Sequence, residues 1–341
     1  MDVAKLQSAL EGMGEKPYRL TQAKDAVFRQ LVSHWNEATA LPPALREKLN
    51  ATIPISEFEV VRESESERGD TCKAALKLTD GNLIETVLMR HSNGRNTVCV
   101  SSQAGCPMAC TFCATGTMGL KRNLTTSEIV AQVLHFSRQL AAKGERVTNM
   151  VMMGMGEPMH NYDNVMAAIR ILNDQKGLAL GARHMSISTC GIVAGIHRMA
   201  DEPLQVNLAV SLHAPNDELR TRLMPVNRAY PLAKLMPAID AYIAKTGRKV
   251  MFEYLLIDGL NDTPAVITEL AVLLKKPLYH LNLIKYHTTG AFVSTGRDRR
   301  TEILDYMKKA FVSVTHRITF GEDIDAACGQ LANKHSKTEV V

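Results

Sequence analysis

The stretch GCPMACTFC, residues 105–113, decides how the rest of the chain is read. Its cysteines, Cys106, Cys110 and Cys113, stand at C-x3-C-x2-C spacing just after a strand-like apolar run, Thr97–Ser101. Thiolates at such close spacing bind iron–sulfur clusters, and a cubane normally takes four of them. Three with no fourth nearby leave one iron open to an outside ligand. The competing reading is a zinc site completed by a distant Cys or His.

Outward from the triplet the pattern is strand-like runs alternating with amphipathic stretches. Val147–Met153, His184–Ser188, Gln205–Leu212, Lys249–Leu256, Tyr279–Lys285 and a run near Val312–Phe320 follow the first one. Ser127–Leu140, Asn164–Asn173 and Pro264–Leu274 lie between them with helical periodicity. Such a series predicts an α/β fold, a partly or fully closed parallel β/α barrel over residues 97–335, with chemistry at the C-terminal ends of the strands. Residues 55–96 read as a short β segment, in which Thr71–Leu78 and Leu83–Met89 are separated by turns at Asp80-Gly81 and Asn93-Gly94. Residues 1–54 read as a small helical module. Leu6, Leu10 and Met13 keep helical spacing, as do Ala26, Val27, Phe28 and Leu31, and Pro43 suits the first turn of a helix over Ala44–Leu49.

Of the 341 residues, 45% are hydrophobic and 22% charged, which predicts a globular protein with a sizeable core. No run of about 18 apolar residues predicts a membrane span. The N-terminal MDVAKLQSALEGMGEK interrupts its apolar positions with charges and lacks a signal-peptide core. Seven cysteines in such a chain fit a reducing, cytoplasmic setting, where thiols serve metals or chemistry. A net charge of +5 is a weak pointer to a polyanionic partner. Candidate phosphate contacts are Lys121 and Arg122, the run Arg297, Arg299 and Arg300, and Lys16–Arg19 with Tyr18.

An open iron suits S-adenosylmethionine, whose amino and carboxylate groups chelate. The triplet resembles the radical S-adenosylmethionine (radical SAM) signature, and its surroundings narrow the match. CVSSQAGC at 99–106, CATGTMGLKRNLT at 113–125, MGMGEP at 153–158, SLHAPNDE at 211–218 and DIDAACGQL at 323–331 resemble the RlmN/Cfr family of ribosomal RNA adenine methyl synthases. The resemblance implies a partial barrel of radical SAM type and a 4Fe–4S cluster on Cys106, Cys110 and Cys113. It implies that Gly156 and Glu157 hold the methionine moiety of S-adenosylmethionine, and that Ser188, Ser211, Leu212 and His213 contact the rest of it. Where the family carries Asn after the sixth strand, NLIKYHTTG places His287.

The same resemblance implies two S-adenosylmethionine molecules per turnover. Cys328 takes a methyl from the first, and a radical made from the second activates that methyl for addition to the base. Cys99 then releases the product by forming a disulfide with Cys328, and Glu85, in LIETV, is the proton acceptor. Cys72 and Cys190 are read as packing residues. The implied partners are 23S ribosomal RNA at a peptidyl-transferase-centre adenine, a tRNA anticodon-loop adenine, and an external electron donor such as flavodoxin, with the enzyme a monomer. GMGEP favours C2 methylation of adenine, whereas TFGEDIDAACGQL, GLKRNLT and the missing proline in NLIKYH lean to C8 methylation; C2 is the preferred expectation. Another radical SAM activity, or a non-catalytic iron–sulfur RNA-binding protein, would leave Cys99 and Cys328 without roles.

Overall fold

A computed structural model describes residues 1–331, so 332–335 of the expected barrel region lie outside the described residues. Three helices open the chain, α1 (Val3–Gly12), α2 (Tyr18–Phe28) and α3 (Pro43–Thr52). Their periodic apolar residues, among them Leu6, Leu10, Ala26, Val27, Leu45 and Leu49, are buried around Trp35, whose indole N–H donates to the Ile53 carbonyl at 2.6 Å. Pro43 starts α3, at a position where its missing N–H has no partner to lose.

Strands β1 (Phe58–Glu65), β2 (Thr71–Leu78) and β3 (Leu83–Arg90) form an antiparallel meander, and β3 pairs antiparallel with β4 (Asn96–Cys99). A separate hairpin follows, β5 (Gln103–Cys106) with β6 (Gly119–Asn123). The rest alternates: α4 (Thr126–Ala141), β7 (Asn149–Met152), α5 (Tyr162–Asn173), β8 (Met185–Thr189), α6 (Val193–Ala200), β9 (Asn207–Ser211), α7 (Asp217–Leu223), α8 (Leu232–Thr246), β10 (Val250–Leu256), α9 (Pro264–Leu274), β11 (Tyr279–Lys285), α10 (Arg297–Lys309) and β12 (Val314–His316). From β4 the pairing is parallel, in the order β4-β7-β8-β9-β10-β11-β12. The meander extends this sheet to ten strands, and β1 and β12 are its edges, so the barrel is partial.

Strand periodicity divides the two faces. Met150, Met152, Ile187, Phe252, Tyr254, Leu281 and Leu283 are buried, while the alternate residues Val151, Ser186, Met251, Glu253, Asn282 and Ile284 line a lumen of about 630 Å3. A capping box at Thr125 and Glu128 starts α4, whose Arg138 donates to the carbonyls of Leu31 and Val32 and so joins the helical module to the barrel. β12 stops short of the expected Phe320: Arg317 N–H still donates to the Leu283 carbonyl at 2.8 Å, and the segment then leaves the sheet, with Phe320 against His91, Asp323 accepting from the Glu67 N–H and the Asp325 carbonyl accepting from Lys73. Among the described residues no helix is long and apolar enough to cross a membrane.

Candidate active site

The β5–β6 hairpin presents the cysteine loop. Gly105 sits at φ +77°, where a Cβ would lie 1.9 Å from the Gly119 carbonyl oxygen, so the hairpin closes only around glycine. The loop between its strands is pinned by Cys113 N–H to Cys110 carbonyl (3.1 Å), Thr111 N–H to Leu223 carbonyl (3.0 Å) and Ala114 N–H to Gly329 carbonyl (2.8 Å). Cys106, Cys110 and Cys113 line a cavity of about 150 Å3 together with Phe112. Among the described residues no three His, Cys, Asp or Glu side chains converge on one ion position. Three thiols spread around a cavity suit a multi-iron cluster, whose irons take one thiolate each. Burial pushes the Cys106 thiol up to about 12 and Cys110 higher still, so they ionise only against a strongly positive group such as iron.

The strand ends form the facing wall. Gly156, at φ +103°, packs so tightly that a Cβ would fall 2.6 Å from the Gln103 Cβ. Glu157 is buried, and its carboxylate accepts from the Met159 N–H at 2.9 Å and the Cys190 N–H at 2.7 Å. Ser188, Ser211 and His213 line the same cavity. His213 has φ +56°, a conformation few non-glycine residues adopt. Three contacts hold it there: Leu255 N–H donates to Nδ1 at 3.0 Å, Asn261 donates to its carbonyl at 2.9 Å, and Phe112 packs edge-on at 4.7 Å. Burial, then the charge of Arg220, holds the imidazole pKa down at about 3, so the ring is neutral, with its proton on Nε2. Arg220, fully buried, donates to the carbonyls of Cys190 (2.7 Å) and Ser211 (3.2 Å) and fastens the ends of β8 and β9 together. Leu212 is buried beneath the wall and lines neither cavity; its N–H donates to the Glu253 carbonyl at 3.0 Å.

The lumen adjoins this cavity. Cys99 and His287 line the lumen, and Cys113, Cys328 and Gly329 line both spaces. The thiols from the two ends of the fold therefore meet. Burial, then the neighbouring Cys328, pushes the Cys99 thiol up to about 12. Burial also raises Cys328, and the Arg317 charge opposes that rise. Arg317 pairs with Glu253 at 3.1 Å, Asn282 donates to the other Glu253 oxygen at 3.0 Å, and Thr315 donates to Asn282 at 2.7 Å. A held guanidinium thus stands beside two thiols and a cluster-loop cysteine.

A model of the radical SAM superfamily matches residues 100–271. A protein of Geobacillus kaustophilus described as a "probable dual-specificity RNA methyltransferase RlmN" is 47% identical over 336 residues, 98% of this chain and 92% of that one. One of Bacillus thuringiensis with the same description is 46% identical over 341 residues, covering 99% and 94%. The chain belongs to the RlmN family of radical SAM RNA methyltransferases. Its fold is correspondingly similar to the crystal structure of a radical SAM methyltransferase from Sphaerobacter thermophilus, with TM-score 0.94, 45% identity and 97% of each chain covered.

Of the site residues that the RlmN-family resemblance implies, Glu85, like Leu212, lines neither cavity. Glu85 is buried; Lys73 lies 3.4 Å from its carboxylate and donates on to the Asp325 carbonyl at 3.1 Å. His287 lines the lumen but is also drawn to Glu322, with Nδ1 at 3.3 Å. Several expected RNA-contacting cations already have partners: Arg122 holds Asp80 and Glu128, Arg299 holds Glu302 at 3.0 Å, and Arg300 donates to the Thr295 carbonyl. Arg19 sits 3.5 Å from Glu15 and over the Tyr18 ring. Cys72 is buried away from both cavities, but Cys190, read from sequence as packing, lines the cluster cavity. Sequence reasoning passed over Lys73, Arg220, Glu253, Asn282 and Arg317. For Glu253 and Asn282 a signal existed: Glu253 is the one charged residue of VMFEYLL and Asn282 sits mid-strand in YHLNLIK, each on the face that points inward.

Proposed function

We propose that the chain methylates C2 of an adenine at the peptidyl transferase centre of 23S ribosomal RNA, and an anticodon-loop adenine of tRNA, with Cys328 as the methyl carrier. The observation that carries this reading is the meeting of Cys328, Cys99 and Cys113 on the wall of one lumen. Adenine C2 lies between two ring nitrogens and is not nucleophilic, so direct displacement on a sulfonium methyl fails there. A carrier thiol beside a cluster thiol suits a radical route instead. The relatives' "dual-specificity" description supports two RNA substrates, and their RlmN type supports C2 over C8.

When bound, the 4Fe–4S cluster on Cys106, Cys110 and Cys113 and two molecules of S-adenosylmethionine supply the electron, the methyl group and a carbon radical. Gly156 and Glu157 hold the methionine end through close backbone approach and a fixed carboxylate. Ser188, Ser211, Leu212 (through its backbone) and the neutral His213 hold the nucleoside end, with His287 at the position of the family Asn. Cys328 attacks as thiolate, and the Arg317 charge favours that form. After the methyl carbon has joined the base, Cys99 as thiolate attacks the Cys328 sulfur; the carbon–sulfur bond breaks with its electron pair going to the carbon, which takes up a proton to become the methyl group, and a disulfide forms, which an external dithiol must reduce. Glu85, held by Lys73 behind the lumen wall, takes the ring proton by relay rather than by contact. The reaction runs in the cytoplasm, on a monomer, with electrons from a donor such as flavodoxin.

The test is anaerobic reconstitution with iron, sulfide, reductant, S-adenosylmethionine and protein-free large-subunit RNA, followed by mass spectrometry of the nucleosides. The expected result is C2-methyladenosine from the wild type, none from Cys328→Ala, and a covalent protein–RNA adduct from Cys99→Ala. C8-methyladenosine would move the reading to the Cfr branch. No methyladenosine beside a working control enzyme would remove the ribosomal RNA assignment.

A further inference from the structure

The lumen has a second end. Besides the thiols it is lined by residues that precede or begin the parallel strands, among them Arg95 before β4, and Arg183 and His184 before β8. Because β4, β7 and β8 are adjacent, Arg95 and Arg183 sit on one rim about 10 Å apart by strand spacing. Both are exposed. Arg183 donates to the Gln205 side chain and Arg95 to His91, and among the described residues no carboxylate lies within ion-pair distance of either guanidinium. That sets them apart from Arg122, Arg299 and Arg19, which hold carboxylates. Beside Arg95, the His91 ring meets Phe320 edge-on at 4.7 Å, and Ile318 on the same lip is 74% exposed. Burial, then the charges of Arg95 and Arg317, lowers the His91 pKa, so the positive charge of the rim resides on its guanidiniums.

Unpaired cations two strands apart, a ring pair, an exposed apolar side chain and an open passage to reactive thiols make a combination suited to nucleic acid. Phosphates provide salt-dependent affinity, and rings or apolar edges take an unstacked base. We propose that the strand-start mouth of the lumen docks the RNA backbone, with phosphates on Arg95 and Arg183 and a neighbouring base against the His91–Phe320 pair, so that one nucleotide is fed through the lumen to Cys328. This rests on the RNA methyltransferase reading and deepens it. The cofactor then occupies the strand-end side and the RNA approaches from the strand starts, so neither needs to leave for the other to enter.

The experiment measures binding of a protein-free fragment of large-subunit RNA to the full chain by fluorescence anisotropy across a salt series. It compares the wild type with R95Q/R183Q and R95K/R183K. Losing two phosphate contacts should weaken binding about tenfold or more and flatten the slope of log K against log salt by about 1.5. The lysine pair should restore most of both, because a phosphate needs charge rather than a fork. S-adenosylmethionine affinity of the reconstituted variants, measured by equilibrium dialysis, should match the wild type, which separates a docking defect from misfolding. A glutamine pair that binds RNA with wild-type affinity and slope overturns the proposal, as does a lysine pair no better than the glutamine pair. A wild type that binds no RNA overturns the function reading as well, whereas a wild type that methylates RNA no better than R95Q/R183Q overturns the docking site alone.

Discussion

Two regions face each other across the cysteine cavity, and they are built by opposite means. The strand-end wall from Gly154 to His213 is set by buried bonds: Glu157 takes two backbone N–H groups, Arg220 fastens two strand ends, and His213 is held in a strained conformation from three sides. Among the described residues, the C-terminal segment after Arg317 has one short 3-10 turn, Glu322–Ile324, and is moored at separate points. Among these are Asp323 to the Glu67 N–H, the Asp325 carbonyl to Lys73, Glu322 to Lys285 and His287, the Gly329 carbonyl to Ala114, and the Leu331 carbonyl to Thr115. The difference teaches how one site serves two demands. A bound cofactor is used best by groups that do not move. In the proposed reaction Cys328 meets a methyl donor, a base and the Cys99 sulfur in turn, which a segment moored at points allows and a strand end does not.

The strongest test of that division removes one thiol from each side. Cys113→Ala should lose methylation and most of the bound iron together. Cys328→Ala should lose methylation by a similar factor, on the order of 10⁴ or more for residues that act as a unit, while keeping its iron. Iron analysis beside the nucleoside assay reads both. A Cys328→Ala protein without iron would show that the segment builds the cluster site and would break the comparison.

Stability should divide along the same line. Arg220→Met removes a buried guanidinium and leaves the Cys190 and Ser211 carbonyls and the Asn227 side chain without their donor. The expected cost is about 3–5 kcal/mol, since each buried acceptor left unsatisfied costs about 1–3 kcal/mol, measured as the urea unfolding midpoint. Lys73→Met takes one mooring from the C-terminal segment and one partner from Glu85, at a cost of about 1–3 kcal/mol. Limited proteolysis should then cut near residues 318–325 sooner than in the wild type, with the rest of the chain resistant. A uniform loss of resistance would place the segment within the rigid wall.

How much of this was legible beforehand follows from what periodicity records. Parallel strands buried on both faces write themselves as apolar runs, and every run from Thr97 to Lys285 falls on a strand of the sheet, most overrunning its ends by one or two residues. The α4 and α9 stretches were readable because a capping box and an N-terminal proline mark their starts. The β5–β6 hairpin was not readable: QAGC and GLKRN show no alternation, and what forms it is the Gly105–Gly119 approach, a long-range contact. The cysteine triplet was visible by spacing alone. The wall's Arg220 and the moorings' Lys73 were hidden because a charged residue in an amphipathic helix or a mixed strand looks solvated until the fold closes over it.

The smallest expected effect separates the two regions by pH. His213 in the wall and His287 under the C-terminal segment both have lowered pKa values, each chiefly through burial. For His213 the next contribution, the Arg220 charge, lowers it further, to about 3, whereas for His287 the Glu322 carboxylate raises it again. A histidine depressed in the folded state is protonated first in the unfolded chain. Its contribution is therefore fully present above the unfolded value near 6.5 and is lost as pH falls toward the folded value. Between pH 7 and 5.5 His213 should contribute a loss of about 1 kcal/mol, within the limit of roughly 1.4 kcal/mol per pH unit for one proton. Urea midpoints at the two pH values should converge in His213→Gln, which cannot titrate, and should stay nearly as far apart as in the wild type in His287→Gln. If His287→Gln flattened the dependence more, the moored segment would be enclosing its histidine against acid more firmly than the wall does.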